Sequence, residues 1–265
     1  MYEQLNYGAF TDCTALKSIE IPASVKTIDV SAFHSCSQLQ AVSFESNSKL
    51  KTIGGTCIRE PHGAFSNCIA LSTIEIPANV TTIGVAAFYG CSNLQQITFE
   101  KPSMLNSLNE GGANSFAMGY SYGAFAKCTS LITIELPASI ERLHNPIFSG
   151  CSNLATISFE KESKLKYISS DILGIYSGAF ARLDKLTTFD ASACTQLESI
   201  GKQTFNRNSN LTSIIIGAVI PPACTEQAFV EMNANCVLQV PSESLSAYKT
   251  ADGWKTFQII KPLHE

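Results

Sequence analysis

A repeating unit that opens with phenylalanine most strongly constrains the fold of this 265-residue chain. The phenylalanines return at nine positions, usually after alanine: Phe10, Phe33, Phe65, Phe88, Phe125, Phe148, Phe180, Phe205 and Phe229. The steps between them alternate between short and long through Phe180, so the larger period is a pair of units. A regular period of this kind predicts a solenoid, in which each unit is one coil that contacts only its neighbours.

Each unit also carries the apolar alternation typical of one short strand. In the first unit, Ile19 and Ile21 alternate with polar residues, and Pro22, which has no amide hydrogen, ends the strand. One such strand per coil must run parallel to the next, and nine of them at about 4.8 Å each predict a sheet roughly 40 Å long. A second apolar pair, first seen as Val25 and Ile28, closes each coil along a return path that we expect to be irregular or short-helical.

The long units differ from the short ones by insertions at one place, directly after the return pair. The insertions cover residues 54–62, 109–123 and 169–178. Because they occur at the same place in alternate coils, we expect all three to leave from one edge of the solenoid, two coils apart.

The extent of the repeat predicts the domain boundaries and a C-terminal cap. The repeat runs nearly from end to end without a linker, which predicts one domain over 1–265, with repeat coils over 8–240 and a C-terminal cap over 241–265. Within the cap we expect a short helix over 242–251, a stop at Asp252-Gly253, and the bulky residues Trp254, Phe257, Ile259 and Ile260 as a lid over the last coil.

The first residues resemble the end of a long unit, and no polar capping unit precedes the first coil. Repeat arrays need caps. We therefore expect the chain to be a C-terminal fragment of a longer protein, with a bare N-terminal edge that can pair with another chain.

Six of the ten cysteines fall three residues after a repeat phenylalanine: Cys13, Cys36, Cys68, Cys91, Cys128 and Cys151. A residue type tied to one slot suggests buried packing by a small apolar thiol, and coils about 5 Å apart are too widely spaced for unstrained disulfides between successive slots. Pairing of some of them and metal binding are the alternatives. Cys57, Cys194, Cys224 and Cys236 lie outside this slot, and any disulfide is expected between Cys224 and Cys236.

Composition excludes several classes of function. Charged residues make up only 15% of the chain, with net charge −4 and no basic block, which argues against nucleic acid or an anionic membrane as partner. The longest apolar run, 214–220, is too short to cross a bilayer, and the N-terminus is not a signal peptide. The four histidines occupy unrelated slots and no phosphate loop or metal-spaced cluster appears, so we predict neither an enzyme nor a cofactor.

The outward strand positions are the first candidate site. One column holds Glu20, Glu75, Thr98, Glu135 and Asp190, and the neighbouring positions are mainly small and polar. Its carboxylates repeat every second coil, roughly 10 Å apart, too far to share one calcium ion. Such a column predicts an acidic, hydroxyl-rich face for a basic or extended protein partner. The alternative is that solvent-facing strand positions are simply polar.

The middle insertion is the second candidate site. Tyr120 and Tyr122 lie in its glycine-rich sequence, where they could offer aromatic faces to a glycan or anchors to a protein. The alternative is that a tyrosine packs against a neighbouring insertion.

The consensus first seen over 9–28, Ala-Phe-x-x-Cys-x-x-Leu-x-x-Ile-x-Ile-Pro-x-Ser-Val-x-x-Ile, resembles the BspA-like leucine-rich repeats of bacterial surface proteins. It departs from the classical leucine-rich repeat directly after Ser24, which occupies the position where the classical repeat has asparagine. The next apolar residue, Val25, comes one position earlier than in the classical repeat. The resemblance implies a leucine-rich-repeat solenoid of about nine right-handed coils, with a parallel sheet on one face.

The resemblance also implies export to the cell surface or secretion, a Bacteroides-type or similar host-associated source, and adhesion to host or cell-surface proteins. It carries over no binding motif, because its matching residues are all structural. A glycan-binding module and a structural spacer remain the alternatives to a protein-interaction module.

Overall fold

The computed structural model describes residues 8–54, 62–110, 122–144, 146–168 and 178–263. Across these residues the chain winds as a parallel β-solenoid of about nine turns with little helix, which confirms the predicted leucine-rich-repeat fold. Most coils contribute a four-residue front strand and a shorter return strand. The strands are β1 (Ser18–Ile21), β2 (Thr27–Ile28), β3 (Ala41–Phe44), β4 (Thr52–Ile53), β5 (Thr73–Ile76), β6 (Thr82–Gly84), β7 (Gln96–Phe99), β8 (Ser107–Glu110), β9 (Thr133–Leu136), β10 (Arg142–Leu143), β11 (Thr156–Phe159), β12 (Tyr167–Ile168), β13 (Thr188–Ala191), β14 (Ser199–Ile200), β15 (Ser213–Ile216), β16 (Val237–Val240) and β17 (Ile259–Pro262).

The front face is a row of parallel strands in three hydrogen-bonded segments. These segments are β1–β3, β5–β7, and the six strands β9, β11, β13, β15, β16 and β17. The two interruptions, between β3 and β5 and between β7 and β9, each fall across a long unit. Across the third long unit, β11 and β13 pair at only two positions. The long units therefore coincide with weak points in the front ladder.

The return path forms a second sheet, which corrects the expectation of irregular or short-helical returns. Strands β2, β4, β6, β8, β10, β12 and β14 form one continuous parallel ladder of seven strands. In the first coil, Val25 lies in the turn and Ile28 lies buried in β2. An apolar pair three residues apart fits a helical turn as well as a turn followed by a strand, so the sequence alone did not distinguish them.

The repeat phenylalanines form a column of stacked rings through the core. Neighbouring ring centroids are 5.0 Å apart at Phe10–Phe33 and 6.1 Å apart at Phe148–Phe180. Backbone hydrogen bonds also connect successive coils beside these rings. For example, the Phe33 N–H donates to the Ala64 carbonyl of the next coil at 2.7 Å. Ring stacking and backbone hydrogen bonds thus tie each coil to the next at this corner.

A left-handed residue follows each phenylalanine by two positions in all nine coils. The non-glycine residues have φ between 55° and 63°, and the two glycines have φ of 72° and 76°. These residues are Asp12, Ser35, Asn67, Gly90, Lys127, Gly150, Arg182, Arg207 and Glu231. The corner is therefore a tight turn that most coils form without glycine.

The C-terminal segment closes the column of rings. A 3-10 turn over Ser242–Ser244 leads into helix α1 (Leu245–Thr250), close to the predicted helix. Trp254 is buried against Phe229 with ring centroids 5.3 Å apart, and its indole N–H donates to the Pro222 carbonyl at 2.7 Å. Ile259 and Ile260 lie in β17, which extends the front sheet by a tenth strand. Ile260 packs against the core as expected of the lid, whereas Ile259 is exposed.

Candidate protein-binding face

The outward column predicted from the sequence lies on the front face. Ladder pairing places Glu20 opposite Ser43, and it places Glu75 opposite Thr98. Glu135 stands opposite a serine in the same way. The three glutamates are exposed, and none makes a side-chain hydrogen bond or ion pair with another described residue. The front face therefore presents unpaired carboxylates in alternate coils, with hydroxyl groups between them.

The other two column residues are half-buried. Asp190 accepts a hydrogen bond from the Ser192 N–H at 2.9 Å, so its carboxylate closes the turn that follows β13. Thr98 lies on β7, beside the interruption in the ladder. Asp190 thus has a local structural task that the column pattern did not reveal.

A second set of carboxylates supports the turns at one edge of the front face. Glu45, Glu100 and Glu160 each accept the backbone N–H of an alanine in the preceding coil, at 2.8, 2.9 and 3.0 Å. Each of these alanines follows a strand-ending proline. The regular alternation of proline and glutamate at one slot was the signal of this turn contact.

The cysteine slot makes hydrogen bonds as well as packing. In five successive coils the Sγ donates to the phenylalanine carbonyl of the preceding coil, at 3.0 to 3.3 Å. Asn208 occupies the same slot later and donates to the Phe180 carbonyl at 2.7 Å. Asparagine can thus replace cysteine as a donor in this slot, but a donor is not required, because Leu183 and Met232 hold the same slot in other coils.

All described cysteines are free thiols, so the prediction that the six slot cysteines are unpaired is confirmed. Cys224 and Cys236, the pair expected to bond only if the chain had a disulfide, are also free thiols, and Cys57 lies outside the described residues. Burial raises the pKa of Cys91 and of Cys194 to about 12, which keeps these thiols protonated and unreactive. No group of three or more histidine, cysteine, aspartate or glutamate side chains in the described ranges could hold a metal ion.

Tyr122 packs at the base of the middle insertion, and Tyr120 lies outside the described residues. The Tyr122 ring meets Tyr89 edge-on at 5.6 Å, and the Lys127 ammonium lies 5.0 Å from the centre of the Tyr89 ring. Tyr122 therefore packs against the corner after Phe88, not against a neighbouring insertion as the alternative interpretation had it.

The first insertion has an equivalent contact at its base. His34 and His62, which occupy unrelated slots in the sequence, stack with ring centroids 4.4 Å apart. They hold the same two slots as Tyr89 and Tyr122, directly after one phenylalanine and three residues before the next. We call each such ring pair a clasp. Burial, followed by the charge of His62, lowers the pKa of His34, and Asp12 raises it by less.

Comparison with known proteins identifies the family. The model of the BspA type Leucine rich repeat region matches in six copies, over residues 3–118, 61–174 and 120–239. The chain belongs to the BspA-type leucine-rich repeat family. The resemblance drawn from the repeat consensus is therefore confirmed. No helix in the described part of this BspA-type chain is long and apolar enough to span a bilayer, since α1 has only six residues.

Three solved structures show similarity to the BspA-type chain. The pneumococcal vaccine antigen PcpA shares 17% identity at a TM-score of 0.47, covering 94% of this chain and 80% of its own. A leucine-rich repeat protein from Bacteroides ovatus shares 21% identity at 0.42, covering 97% and 77%. A leucine rich cell surface protein from Faecalibacterium prausnitzii shares 18% identity at 0.30, covering 96% and 89%. A search of curated proteins finds no match.

Proposed function

We propose that this BspA-type chain is a non-catalytic protein-interaction module that binds its ligand through the front face. The observation that carries the proposal is the set of exposed, unpaired carboxylates of Glu20, Glu75 and Glu135 in alternate coils. None of the three forms an ion pair with a described residue, although the charge of Lys101 acts on Glu135. A row of exposed carboxylates on a rigid sheet orients an oppositely charged partner.

The two sheets give this face its rigidity. Each described coil is fixed to the next by front or return hydrogen bonds, by the backbone bonds at the phenylalanine corner, and by the stacked rings. The outward side chains are therefore held at defined spacing before any ligand arrives, which lowers the entropy lost on binding. A basic, extended protein segment that lies across the strands matches this row of charge.

We further propose that the module works at the cell surface or in secreted form, where it binds host or cell-surface proteins. Membership of the BspA-type family supports this location, because repeats of this type occur in bacterial surface proteins. Adhesion is the role that a surface-exposed, ligand-binding solenoid would serve.

The test is binding to an immobilised panel of host matrix proteins and glycans across a salt series. The test variant replaces Glu20, Glu75 and Glu135 together with lysine. The matched control replaces three exposed glutamates outside the front face, Glu141, Glu226 and Glu243, with the same change of charge.

We expect the chain to bind a protein of the panel, with affinity that falls as salt rises. The front-face variant should lose this binding, and the control should keep it. Glycan binding that neither salt nor the front-face variant changes would instead place function on the middle insertion with Tyr120 and Tyr122. Silence across the panel would favour a structural spacer.

A further inference from the structure

We propose that a groove on the front face binds a lysine or arginine side chain of the protein partner. The groove spans the second, third and fourth coils, over the interruption between β3 and β5. The proposal rests on the front face being the binding surface, and it names the chemical group that this part of the surface would receive.

The groove has a volume of about 320 Å³. This is near the lower end of the range of about 300–1,000 Å³ for small-molecule pockets, so the space suits one extended side chain. Its lining is polar and acidic, and includes Ser43, Glu45, Ser46, Glu75, Pro77 and Glu100. Three carboxylates thus surround a space that no cation of the described residues enters.

The same arrangement occurs two coils further along, and there the chain supplies the cation itself. Lys101 reaches across the fifth coil and places its ammonium 2.8 Å from Oε1 of Glu160. Oε2 of Glu160 accepts the Ala138 N–H at 3.0 Å. Burial raises the pKa of Glu160, but the hydrogen bonds from Lys101 and Ala138 outweigh it and hold the pKa below its usual value.

The repeat makes the two places directly comparable. Glu100 holds the slot of Glu160, and its Oε2 accepts the Ala78 N–H at 2.9 Å in the same way. The slot of Lys101 is held by Ser46, whose side chain is too short to reach across a coil. Oε1 of Glu100 has no hydrogen-bond or ion-pair partner among the described residues. The chain therefore shows a filled copy of this site and a copy without its cation.

An ammonium or guanidinium group fits the open copy better than a metal ion. The carboxylates of the described residues include no group placed closely enough to hold a metal. A charged nitrogen donor needs only one or two carboxylate oxygens, and the filled copy shows one oxygen serving Lys101. A basic residue of an extended partner would take the place that Lys101 takes at Glu160.

The test uses a short, end-blocked oligolysine peptide as probe, titrated into the protein by calorimetry at low salt. In Ser46→Lys, the introduced ammonium should reach Glu100 and occupy the groove, so we expect affinity for the peptide to fall about tenfold, the loss of one charge-assisted contact. The matched control is Ser209→Lys, which adds the same charge at an exposed site in the eighth coil and should leave affinity nearly unchanged.

The reverse change tests the same idea by gain of binding. Lys101→Ser should free Oε1 of Glu160 and open the second copy, so the number of peptide sites should rise from one to two per chain. All three positions are on the surface, and far-ultraviolet circular dichroism would verify that each variant is folded.

Equal loss of affinity in Ser46→Lys and Ser209→Lys would overturn the groove, because the effect would then be one of net charge. So would wild-type affinity in Ser46→Lys, or unchanged stoichiometry in Lys101→Ser. If a variant with only Glu20 and Glu135 changed to lysine, which leaves the groove intact, abolished peptide binding while Ser46→Lys kept it, the front face would stand and only the groove would be rejected. The panel of matrix proteins tests the proposed function independently of this peptide.

Discussion

At the residue scale, the slot three residues after each phenylalanine shows how one position links neighbouring coils. From the second coil onward, a cysteine or asparagine in this slot fills a buried space and also donates to a carbonyl of the preceding coil, whereas Leu183 and Met232 occupy the slot without a donor. A thiol meets both demands weakly, and the carboxamide of Asn208 meets them strongly, because its oxygen also accepts the Leu183 N–H at 2.8 Å. The predicted packing role was therefore correct but incomplete.

Replacing Asn208 by leucine should destabilise the chain by about 2–4 kcal/mol, since it removes two buried hydrogen bonds and leaves the Leu183 N–H unsatisfied. The matched control is Asn210→Leu. Asn210 also donates to a carbonyl of the preceding coil, at 2.7 Å, but it is exposed, so its loss should cost less than about 0.5 kcal/mol. Urea unfolding followed by circular dichroism measures both. Equal costs would show that the slot hydrogen bonds contribute little.

At the element scale, the corner turn and the clasp are what the sequence did not reveal. The left-handed residue of each corner is glycine in only two coils, so the usual signal of positive φ is missing from Asp12, Lys127 or Arg182. The clasp joins residues from different coils across an insertion, so no local pattern marks it. By contrast, the front strands were predictable because apolar alternation and a strand-ending proline are both local signals.

Arg182 tests the strain in the corner turn, because its φ is 58° and its side chain is exposed. Valine, which is β-branched, should destabilise the chain by about 1–2 kcal/mol there, whereas glycine should change stability by less than about 1 kcal/mol. Lys185→Val, at an exposed position of the same coil where φ is not positive, is the control and should have little effect. Thermal unfolding compares the three variants. Equal effects of valine at the two positions would contradict a strained corner.

The histidine clasp should make the stability of the N-terminal coils depend on pH. Burial, and then the charge of His62, lowers the pKa of His34 in the folded chain, while Asp12 raises it by less. As the pH falls below about 6.5, His34 therefore binds a proton more readily in the unfolded chain than in the folded chain. The free energy of unfolding should thus decrease from pH 7.5 to pH 5.

His34→Gln should show a smaller decrease over the same range, since glutamine does not titrate and can still donate to the Ser66 hydroxyl, which lies 2.7 Å from His34 Nδ1. Thermal melting at several pH values measures the difference between the two proteins. The same slope in both would mean that other groups, such as the carboxylates, account for all of the pH dependence.

At the scale of the whole molecule, the two ends of the solenoid differ. Trp254 closes the column of rings at the C-terminal end, whereas Phe10 is 41% exposed at the other. An apolar groove of about 360 Å³, lined partly by Phe10, Ile19 and Val25, lies beside β1 and β2, which are edge strands among the described residues. The sequence predicted a bare edge here, and its self-association remains a prediction.

Light scattering over a range of protein concentrations tests this edge. We expect a dimer or larger species, and Phe10→Ser should shift it toward monomer by weakening the apolar contact. Ile220→Ser is the control, because Ile220 is also apolar and 81% exposed but lies near the opposite end. A wild-type chain that stays monomeric at all concentrations would contradict pairing through the N-terminal edge.

The fold was predictable at this scale because the same sequence pattern returns in each coil, so the structure of one coil predicts that of the others. The site was predictable only in part. Glu20, Glu75 and Glu135 lie where alternation placed them, but the uses of Asp190 in a turn and of Glu100 at a groove depend on contacts across coils. Such contacts follow from stacking rather than from any single unit.

Labelling of carboxyl groups tests most directly whether the front face is the binding surface. The chain would be treated with a carbodiimide and glycine ethyl ester, with and without excess end-blocked oligoarginine peptide, whose guanidinium groups do not form amides with the activated carboxyls. The modification of each glutamate would be measured by mass spectrometry. We predict that the peptide protects Glu20, Glu75, Glu100 and Glu135, while Glu141, Glu226 and Glu243 are modified equally in both samples. Protection spread evenly over all exposed glutamates, or confined to the second group, would contradict a binding surface on the front face.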